Sequence, residues 1–296
     1  MGVLDGIGRR PRLAALVGAL SIAFSGIFFR FSGTSPSTAT VFRCLYALPW
    51  LLPLLYVERR RFGPLPGREL RLGIVAGVFF AFDLLTWHHS VELVGAGLAT
   101  VMGNLQVVVV AIAAWLLFGE RPQRPTLVAL PFMLMGVVLL SGVVGSGAYG
   151  SNPSLGVAFG TATAFFYAGY LIVMRHGIRD ARRPATGLFL STASTAIVGV
   201  LVGVLVGDFD PMPVFPAHWW LIAVGLTSQA IGYMLISLSL PRLPAVLTSL
   251  ILLAQPITTM VFGALLLGED PSVFQLGGVG LIVAGLVVAN LRLPVS

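Results

Sequence analysis

Two stretches of the sequence, 149 residues apart, decide the fold. Residues 98–122 read LATVMGNLQVVVVAIAAWLLFGERP, and residues 247–271 read LTSLILLAQPITTMVFGALLLGEDP. Each is a long apolar run that ends in Gly-Glu-x-Pro, where glycine closes one helix and proline opens the next. The offset places Gln106 opposite Gln255 without gaps. The pattern indicates an internal repeat that covers about half of the chain.

The composition identifies a membrane protein. Hydrophobic residues make up 57% of the 296 residues and charged residues only 10%, whereas a soluble domain usually carries about 25% charged residues. The mean hydropathy is +0.95. The basic residues are all arginines and lie between apolar runs, not in a continuous basic stripe, so we exclude nucleic acid as a partner. The single cysteine, Cys44, excludes a disulfide framework and a cysteine-based metal site.

Ten apolar stretches are long enough to cross a bilayer as helices, which takes about 20 residues each. They are residues 13–31, 37–57, 70–91, 96–118, 125–143, 154–175, 186–206, 217–239, 245–267 and 272–291. The sequence therefore predicts an all-α polytopic membrane protein with ten transmembrane helices. The repeat divides it into two five-helix halves, residues 1–148 and 149–296.

The arginines predict the orientation, because basic residues concentrate in cytoplasmic loops. With the N-terminus inside, all but two of the 18 arginines lie on cytoplasmic segments; the exceptions are Arg30 and Arg43. A unit of five helices places its second copy upside down, and the charges agree, since Arg121 of the first Gly-Glu-x-Pro becomes Asp270 in the second. We expect an inverted repeat in the cell membrane (inner or plasma membrane) with both termini cytoplasmic.

Two inverted halves can expose a site at the membrane midplane to each side in turn, which is the basis of alternating access. The sequence thus favours a secondary transporter of small metabolites. The alternatives are a membrane-embedded scaffold or assembly factor without transport and, less favoured, an intramembrane enzyme. No nucleotide-binding or zinc-hydrolase motif is present, so we expect no cofactor and no catalysis. Coupling would come from protons or another ion gradient, from exchange, or from the substrate's own gradient; the oligomeric state is left open.

On these residues the chain resembles the drug/metabolite transporter superfamily, EamA type. The resemblance covers nearly the whole chain and rests on the two Gly-Glu-x-Pro helix ends, on Ala254-Gln255-Pro256 and on Arg43 early in the second helix. It implies export or exchange of amino acids and other small metabolites, with a central cavity lined mainly by predicted helices 1, 3, 4, 6, 8 and 9. Val107 stands where the second copy has Pro256, so a kink is expected more firmly in the ninth helix than in the fourth.

Asp83 is the sharpest site candidate, because an ionisable side chain inside a bilayer usually faces a cavity or a partner. Trp87 follows one helical turn later on the same face. An aspartate at this depth can bind a substrate amine or carry a proton; the alternative is a structural ion pair with Arg43. Arg43 itself can equally lock the second helix against a neighbour. The repeat partners of Asp83 and Trp87 are Gly232 and Ile236, so we expect an asymmetric site.

Further candidates for the substrate or proton pathway are polar and aromatic side chains on nearby helices. His88 can form a substrate hydrogen bond or a proton relay, although packing is the more common role, and no converging ligands suggest a metal. Gln106 and Gln255 occupy equivalent places and either face substrate or bond between helices. Tyr167 and Tyr233 are options for cavity walls, against the more common role of packing. Lesser candidates are Thr100, Asn104, Trp115 and Tyr170.

The glutamates of the two Gly-Glu-x-Pro motifs, Glu120 and Glu269, come directly after long apolar helices. A carboxylate in that position can accept hydrogen bonds from free backbone amides or from an arginine. We interpret both glutamates as structural residues. We interpret Trp219 and Trp220, at the start of the eighth helix, as residues of the membrane interface.

Overall fold

The structure is a computed structural model that describes residues 10–119, 124–142, 144–177, 183–239, 251–252 and 254–290. Its helices are α1 (Pro11–Ala23), α2 (Ser25–Ser32), α3 (Pro36–Phe62), α4 (Gly67–Gly103), α5 (Gln106–Phe118), α6 (Arg124–Leu140), α7 (Pro153–Gly177), α8 (Pro184–Val206), α9 (Ala217–Ala223), a π-helix (Val224–Gly232), α10 (Tyr233–Ser239), α11 (Ala254–Leu267) and α12 (Val273–Asn290). Six helical spans are long and apolar enough to cross a membrane, and four shorter apolar helices accompany them. The prediction of an all-α polytopic membrane protein is confirmed, and the described residues contain no strand.

Observed helices overlap all ten predicted segments, and the differences have local causes. The first segment is divided at Phe24, between α1 and α2. The third and fourth segments run together in α4, which bends at Gly95, where φ is 87° and ψ is 164°; glycine adopts this conformation without a side-chain clash. Several predicted features lie outside the described residues, namely Glu120-Arg121-Pro122, Arg242, Arg292 and the start of the ninth segment.

The fourth segment is irregular just before Gln106. The N–H of Asn104 donates to the carbonyl of Val101 at 3.2 Å and the N–H of Leu105 to that of Met102 at 3.0 Å, so the helix tightens to a three-residue spacing there. The expectation favoured a kink in the ninth segment instead. In that segment residues 251–252 and those from Ala254 onward are helical, whereas residues 245–250 and residue 253 lie outside the described residues, so the kink at Pro256 stays a prediction.

A π-helix interrupts the eighth predicted segment, which was expected to be a regular α-helix. It runs over Val224–Gly232 between α9 and α10. Its Gly225 lies so close to α3 that a β-carbon there would be 2.8 Å from the carbonyl oxygen of Arg43. Such bulges occur often at functional sites, and this one faces the helix that carries the buried arginine.

Helices that occupy equivalent places in the two halves pack against each other. The second and seventh helices, α3 and α8, form one such pair, and the fifth and tenth, α6 and α12, form the other. In addition, α4 of the first half packs along α7 of the second half, while α1 packs along α10 and the π-helix. These contacts surround the middle of the bundle, where the polar side chains gather.

The two ends of the bundle differ in charge. At one end, which we call the basic end, the Glu58 carboxylate caps α8 by accepting the N–H groups of Ala185 at 2.9 Å and Thr186 at 2.7 Å. At the other, the acidic end, the Asp208 carboxylate accepts the N–H of Ser37 at 3.3 Å, at the start of α3. The basic end carries Arg59, Arg60, Arg61, Arg68, Arg71 and Arg183, and the acidic end carries Asp208, Asp210, Glu269 and Asp270.

Candidate substrate cavity

A polar cavity lies midway between the two ends of the bundle. Its volume is about 80 Å³, counted as the space open to the centre of a water molecule, and a water needs about 10–15 Å³ on this measure. The cavity therefore holds several waters or part of a small solute. Its walls are Ile22, Ser25, Arg43, Asp83, Leu84, Trp87, Thr100, Gly103, Asn104, Gln106, Thr163, Tyr167, Tyr233 and Gln255.

The structure brings seven of the eight predicted site residues to this cavity. They are Arg43, Asp83, Trp87, Gln106, Tyr167, Tyr233 and Gln255. The lining also involves all six helices that the resemblance implied, and α3 adds Arg43. Because these residues are spread over the whole chain, the folded bundle, and not local sequence, creates the cavity.

Asp83 is almost fully buried, with 5% of its surface exposed. Its carboxylate faces the cavity, and Arg43 is near enough to interact with it electrostatically. Within the described part of the chain, however, no nitrogen–oxygen distance between these two residues is within 4.0 Å. The alternative of a direct structural ion pair is therefore absent from this conformation, and neither side chain is occupied by the other.

Arg43 is the largest fully buried side chain, with 1% of its surface exposed. One terminal amino group donates to the Ser228 hydroxyl of the π-helix at 3.3 Å, while its Nε finds no hydrogen-bond partner among the described residues. A buried guanidinium with an unused donor is unfavourable until an acceptor arrives. The side chain is thus suited to receive an anionic group.

Aromatic side chains form the wall of the cavity beside Asp83. The rings of Tyr167 and Tyr170 stack with centroids 5.8 Å apart, and Phe80 contacts Tyr233 edge-on at 5.3 Å. Tyr170 packs in the wall but does not line the cavity. This wall gives the cavity an apolar surface beside its two charges.

Two sequence candidates lie elsewhere. His88 has 1% of its surface exposed, but its Nδ1 is 2.8 Å from the hydroxyl of Thr40 and its ring contacts Phe29. It is outside the cavity lining because the residue after Trp87 is rotated by about 100° around the helix. Trp115 is 46% exposed on the outside of α5, so it does not serve as a cavity wall.

Sequence reasoning missed two polar wall residues, Ser25 and Thr163. The hydroxyl of Ser25 is buried and lacks a partner among the described residues, whereas that of Thr163 is 2.8 Å from the hydroxyl of Thr86. Small hydroxyl residues are common in membrane helices and usually bond to their own backbone, so the sequence carried no signal that separated these two from the others.

The fold and the cavity define a class: a multi-pass membrane protein with a buried polar chamber at its centre. The model of the EamA-like transporter family matches the chain twice, over residues 10–142 and 154–291. The chain belongs to this family, and it is therefore a membrane transporter whose partners are a small-molecule substrate and the lipid bilayer.

Relatives of similar length agree with this assignment. The uncharacterized transporter YcbK of Bacillus subtilis (strain 168) is 25% identical over 94% of this chain and 92% of its own length. An uncharacterized transporter of Archaeoglobus fulgidus is 23% identical over 95% of this chain and 96% of its own. A solved crystal structure matches with a TM-score of 0.64 and 20% identity, over 94% of this chain and 96% of the other, which is a likeness of fold alone.

Proposed function

We propose that the protein is a secondary transporter that exports small zwitterionic metabolites such as amino acids by alternating access. One observation carries the proposal: an arginine, Arg43, and an aspartate, Asp83, line the same buried cavity and are not bonded to each other. A carboxylate placed at the guanidinium and an ammonium placed at the aspartate would satisfy both groups. A neutral solute would leave two buried charges without partners, which is unfavourable.

The size of the cavity and its aromatic wall support a small substrate. The cavity volume of about 80 Å³ is less than a bulky metabolite needs, while Trp87, Tyr167 and Tyr233 offer apolar surface to a short side chain. Gln106 and Gln255 supply neutral hydrogen-bonding groups on opposite halves. These features favour a substrate with two charged ends and a modest apolar part.

We further propose that residues 1–148 and 149–296 are inverted halves that together form ten transmembrane helices. The double match of the family model supports this division. So does the packing of α3 on α8 and of α6 on α12, since a two-fold axis in the membrane plane brings equivalent helices together. The positive-inside rule then puts the basic end and both termini in the cytoplasm, and we expect the cell membrane as the location.

Asp83 is the group that we propose for coupling. A buried aspartate that lines the cavity can take up a proton when the substrate ammonium leaves, so that the empty cavity does not retain an unpaired negative charge. Proton entry and substrate exit would thereby use the same carboxylate. We propose protons as the coupling ion because a single carboxylate can bind and release a proton without other ligands.

Transport in reconstituted vesicles tests this function. Proteoliposomes preloaded with radiolabelled L-amino acids should release label when an inward proton gradient is imposed. Asp83→Asn should abolish the dependence on the gradient, whereas Asp270→Asn, which removes an exposed acid at the acidic end, should leave it unchanged. Gradient-driven release by Asp83→Asn at the native rate would refute the coupling role. Absence of release by the native protein would refute amino-acid transport.

A further inference from the structure

The carboxylate of Glu269, in the connection between α11 and α12, is bound at the bend of α4. Its Oε1 accepts the N–H of Ala96 at 2.5 Å and its Oε2 accepts the N–H of Gly97 at 3.0 Å. Only 5% of the residue is exposed. The sequence interpretation expected local amide or arginine bonds, but the partners lie more than 170 positions away in the chain.

Glycines leave the space that this carboxylate fills. A β-carbon at Gly95 would lie 2.7 Å from the carboxyl carbon of Glu269, and one at Gly263 would lie 2.5 Å from Oε2. Gly95 also has the positive φ that bends α4 and frees the two amides. The bend, the free amides and the missing side chains together make a receptor for one carboxylate, which we call the glycine cradle (Gly95, Gly97 and Gly263).

The glycine cradle lies next to the cavity, on the side of the acidic end. Thr100, one turn after the bound amides, and Gly103, a turn later, both line the chamber. Glu269 belongs to the short connection between α11 and α12, and α11 carries Gln255 of the opposite wall. The carboxylate therefore ties the two halves together at the acidic end, across the helices that enclose the substrate.

This tie is made of hydrogen bonds and not of an ion pair. Arg30 of α2 and Tyr149, ahead of α7, interact with Glu269 electrostatically, but within the described residues neither forms a salt bridge or hydrogen bond with it. These two amides lie at a bend of α4 that the conformation of Gly95 creates, so release of the carboxylate would not break a regular stretch of helix.

We propose that Glu269 is the latch that closes the chamber at the acidic end, and that its release from the glycine cradle opens the chamber to that side. The proposal rests on the proposed transport function and specifies how that site is gated. In the described structure the latch is engaged. Opening would move the connection between α11 and α12 away from Ala96 and Gly97 of α4, just after its bend. The substrate would then leave past Thr100.

Access of a thiol reagent to the chamber tests the latch. Cys44 is the single native cysteine, so Cys44→Ser with Thr100→Cys gives one reporter thiol in the cavity wall. A membrane-impermeant maleimide is applied to intact cells and to inverted vesicles, and Met212→Cys, on the exposed acidic-end loop, identifies the face being labelled. From the acidic face, Glu269→Ala, which removes both hydrogen bonds, should speed labelling of the reporter by at least about tenfold, since loss of even one such bond corresponds to about that factor.

Two comparisons make the result decisive. Asp270→Ala removes the adjacent exposed acid and should leave the labelling rate unchanged. Glu269→Asp keeps the carboxylate but is too short to reach both amides, so it should give an intermediate rate. Glu269→Asp is also the smaller change, so it should disturb folding less than Glu269→Ala. Equal rates for native protein, Glu269→Asp and Glu269→Ala, in samples with the same size-exclusion profile, would overturn the latch. Labelling needs no transport, so this failure is distinct from a failure of amino-acid release.

Discussion

Gly136 on α6 and Gly285 on α12 make equivalent close contacts, each with a side chain of the other helix. A β-carbon at Gly136 of α6 would lie 2.6 Å from Cγ1 of Ile282, and one at Gly285 of α12 would lie 2.4 Å from Cγ of Met133. Gly136 and Gly285 are separated by the repeat offset, and so are Met133 and Ile282. The sequence offset therefore coincides with a two-fold relation in space, which supports the proposed inverted halves.

Substitution of these glycines should weaken the pairing of α6 with α12. Gly136→Ala places a methyl group against Ile282 and 2.7 Å from the backbone carbonyl of Gly278, and such overpacking costs about 1–3 kcal/mol. Gly285→Ala should cost less, because the flexible Met133 side chain can move aside. Thermal unfolding in detergent measures both. Gly280→Ala, with no atom within 4 Å of the added carbon, is the control and should not lower the melting temperature; equal losses in all three variants would contradict the close packing.

The caps at the two ends of α3 and α8 should contribute unequally to stability. Glu58 accepts two backbone N–H groups and the hydroxyl of Thr186, whereas Asp208 accepts one N–H, that of Ser37. Loss of a cap costs about 0.5–2 kcal/mol, so Glu58→Ala should lower the melting temperature more than Asp208→Ala. A larger loss for Asp208→Ala than for Glu58→Ala in the unfolding curves would contradict this prediction.

His88 should affect stability and leave the pH profile of transport alone. Its ring is packed on Phe29 and hydrogen-bonded to Thr40, away from the cavity lining. His88→Ala should therefore lower the melting temperature, while the surviving protein shows the same midpoint of pH dependence as the native transporter. A shifted midpoint, measured by efflux at a series of pH values, would contradict this and indicate that His88 takes part in proton transfer.

The latch should respond to pH at the acidic end. Burial raises the pKa of Glu269, and the N–H groups of Gly97 and Ala96 and the charge of Arg30 oppose that rise only in part. Release into water would restore the ordinary value, so the docked carboxyl binds its proton more tightly than the released one. By linkage, a falling pH favours the closed latch, and opening increases as the pH rises through the range just above the ordinary pKa of glutamate.

This pH effect is measured with the Thr100→Cys reporter. The labelling rate from the acidic face, corrected for the reactivity of the Met212→Cys thiol at each pH, should rise with pH in native protein and be independent of pH in Glu269→Gln. Tyr149, whose own pKa burial raises, and Glu92, which interacts with Arg30, are the other titratable groups nearby. Persistence of the pH effect in Glu269→Gln would assign it to one of them.

The sequence contained most of the information about the frame and about half of that about the site. Apolar runs and the arginine pattern predict helix positions because a bilayer imposes length and charge rules on the chain. Asp83 is an isolated ionisable residue in an apolar helix, and Trp87 follows it by one helical turn. Because a bilayer disfavours such a residue on its lipid-facing side, the two predict which face of the helix lines the cavity. By contrast, the roles of Ser25 and Thr163 depend on which side of an ordinary apolar helix meets its neighbours.

Backbone irregularities were the least predictable part. Nothing in the residue types of Val224–Gly232 distinguishes a π-helix from an α-helix, and in the folded chain this stretch packs closely against α3 at Arg43. The long-range bonds of Glu269 depend on a bend at Gly95, one of 35 glycines in the chain. These features appear only when distant helices are brought together.

Release of amino acids and their blocked analogues tests the central claim most directly. Proteoliposomes are loaded with radiolabelled L-amino acids, with their N-acetyl derivatives or with their carboxamides, and initial efflux is compared. If Arg43 holds a carboxylate and Asp83 an ammonium, only the unmodified amino acids leave rapidly, Arg43→Gln selectively impairs the substrates with a carboxylate, and Asp83→Asn those with an amine. Equal efflux of the free and both blocked compounds from the native protein would contradict the claim.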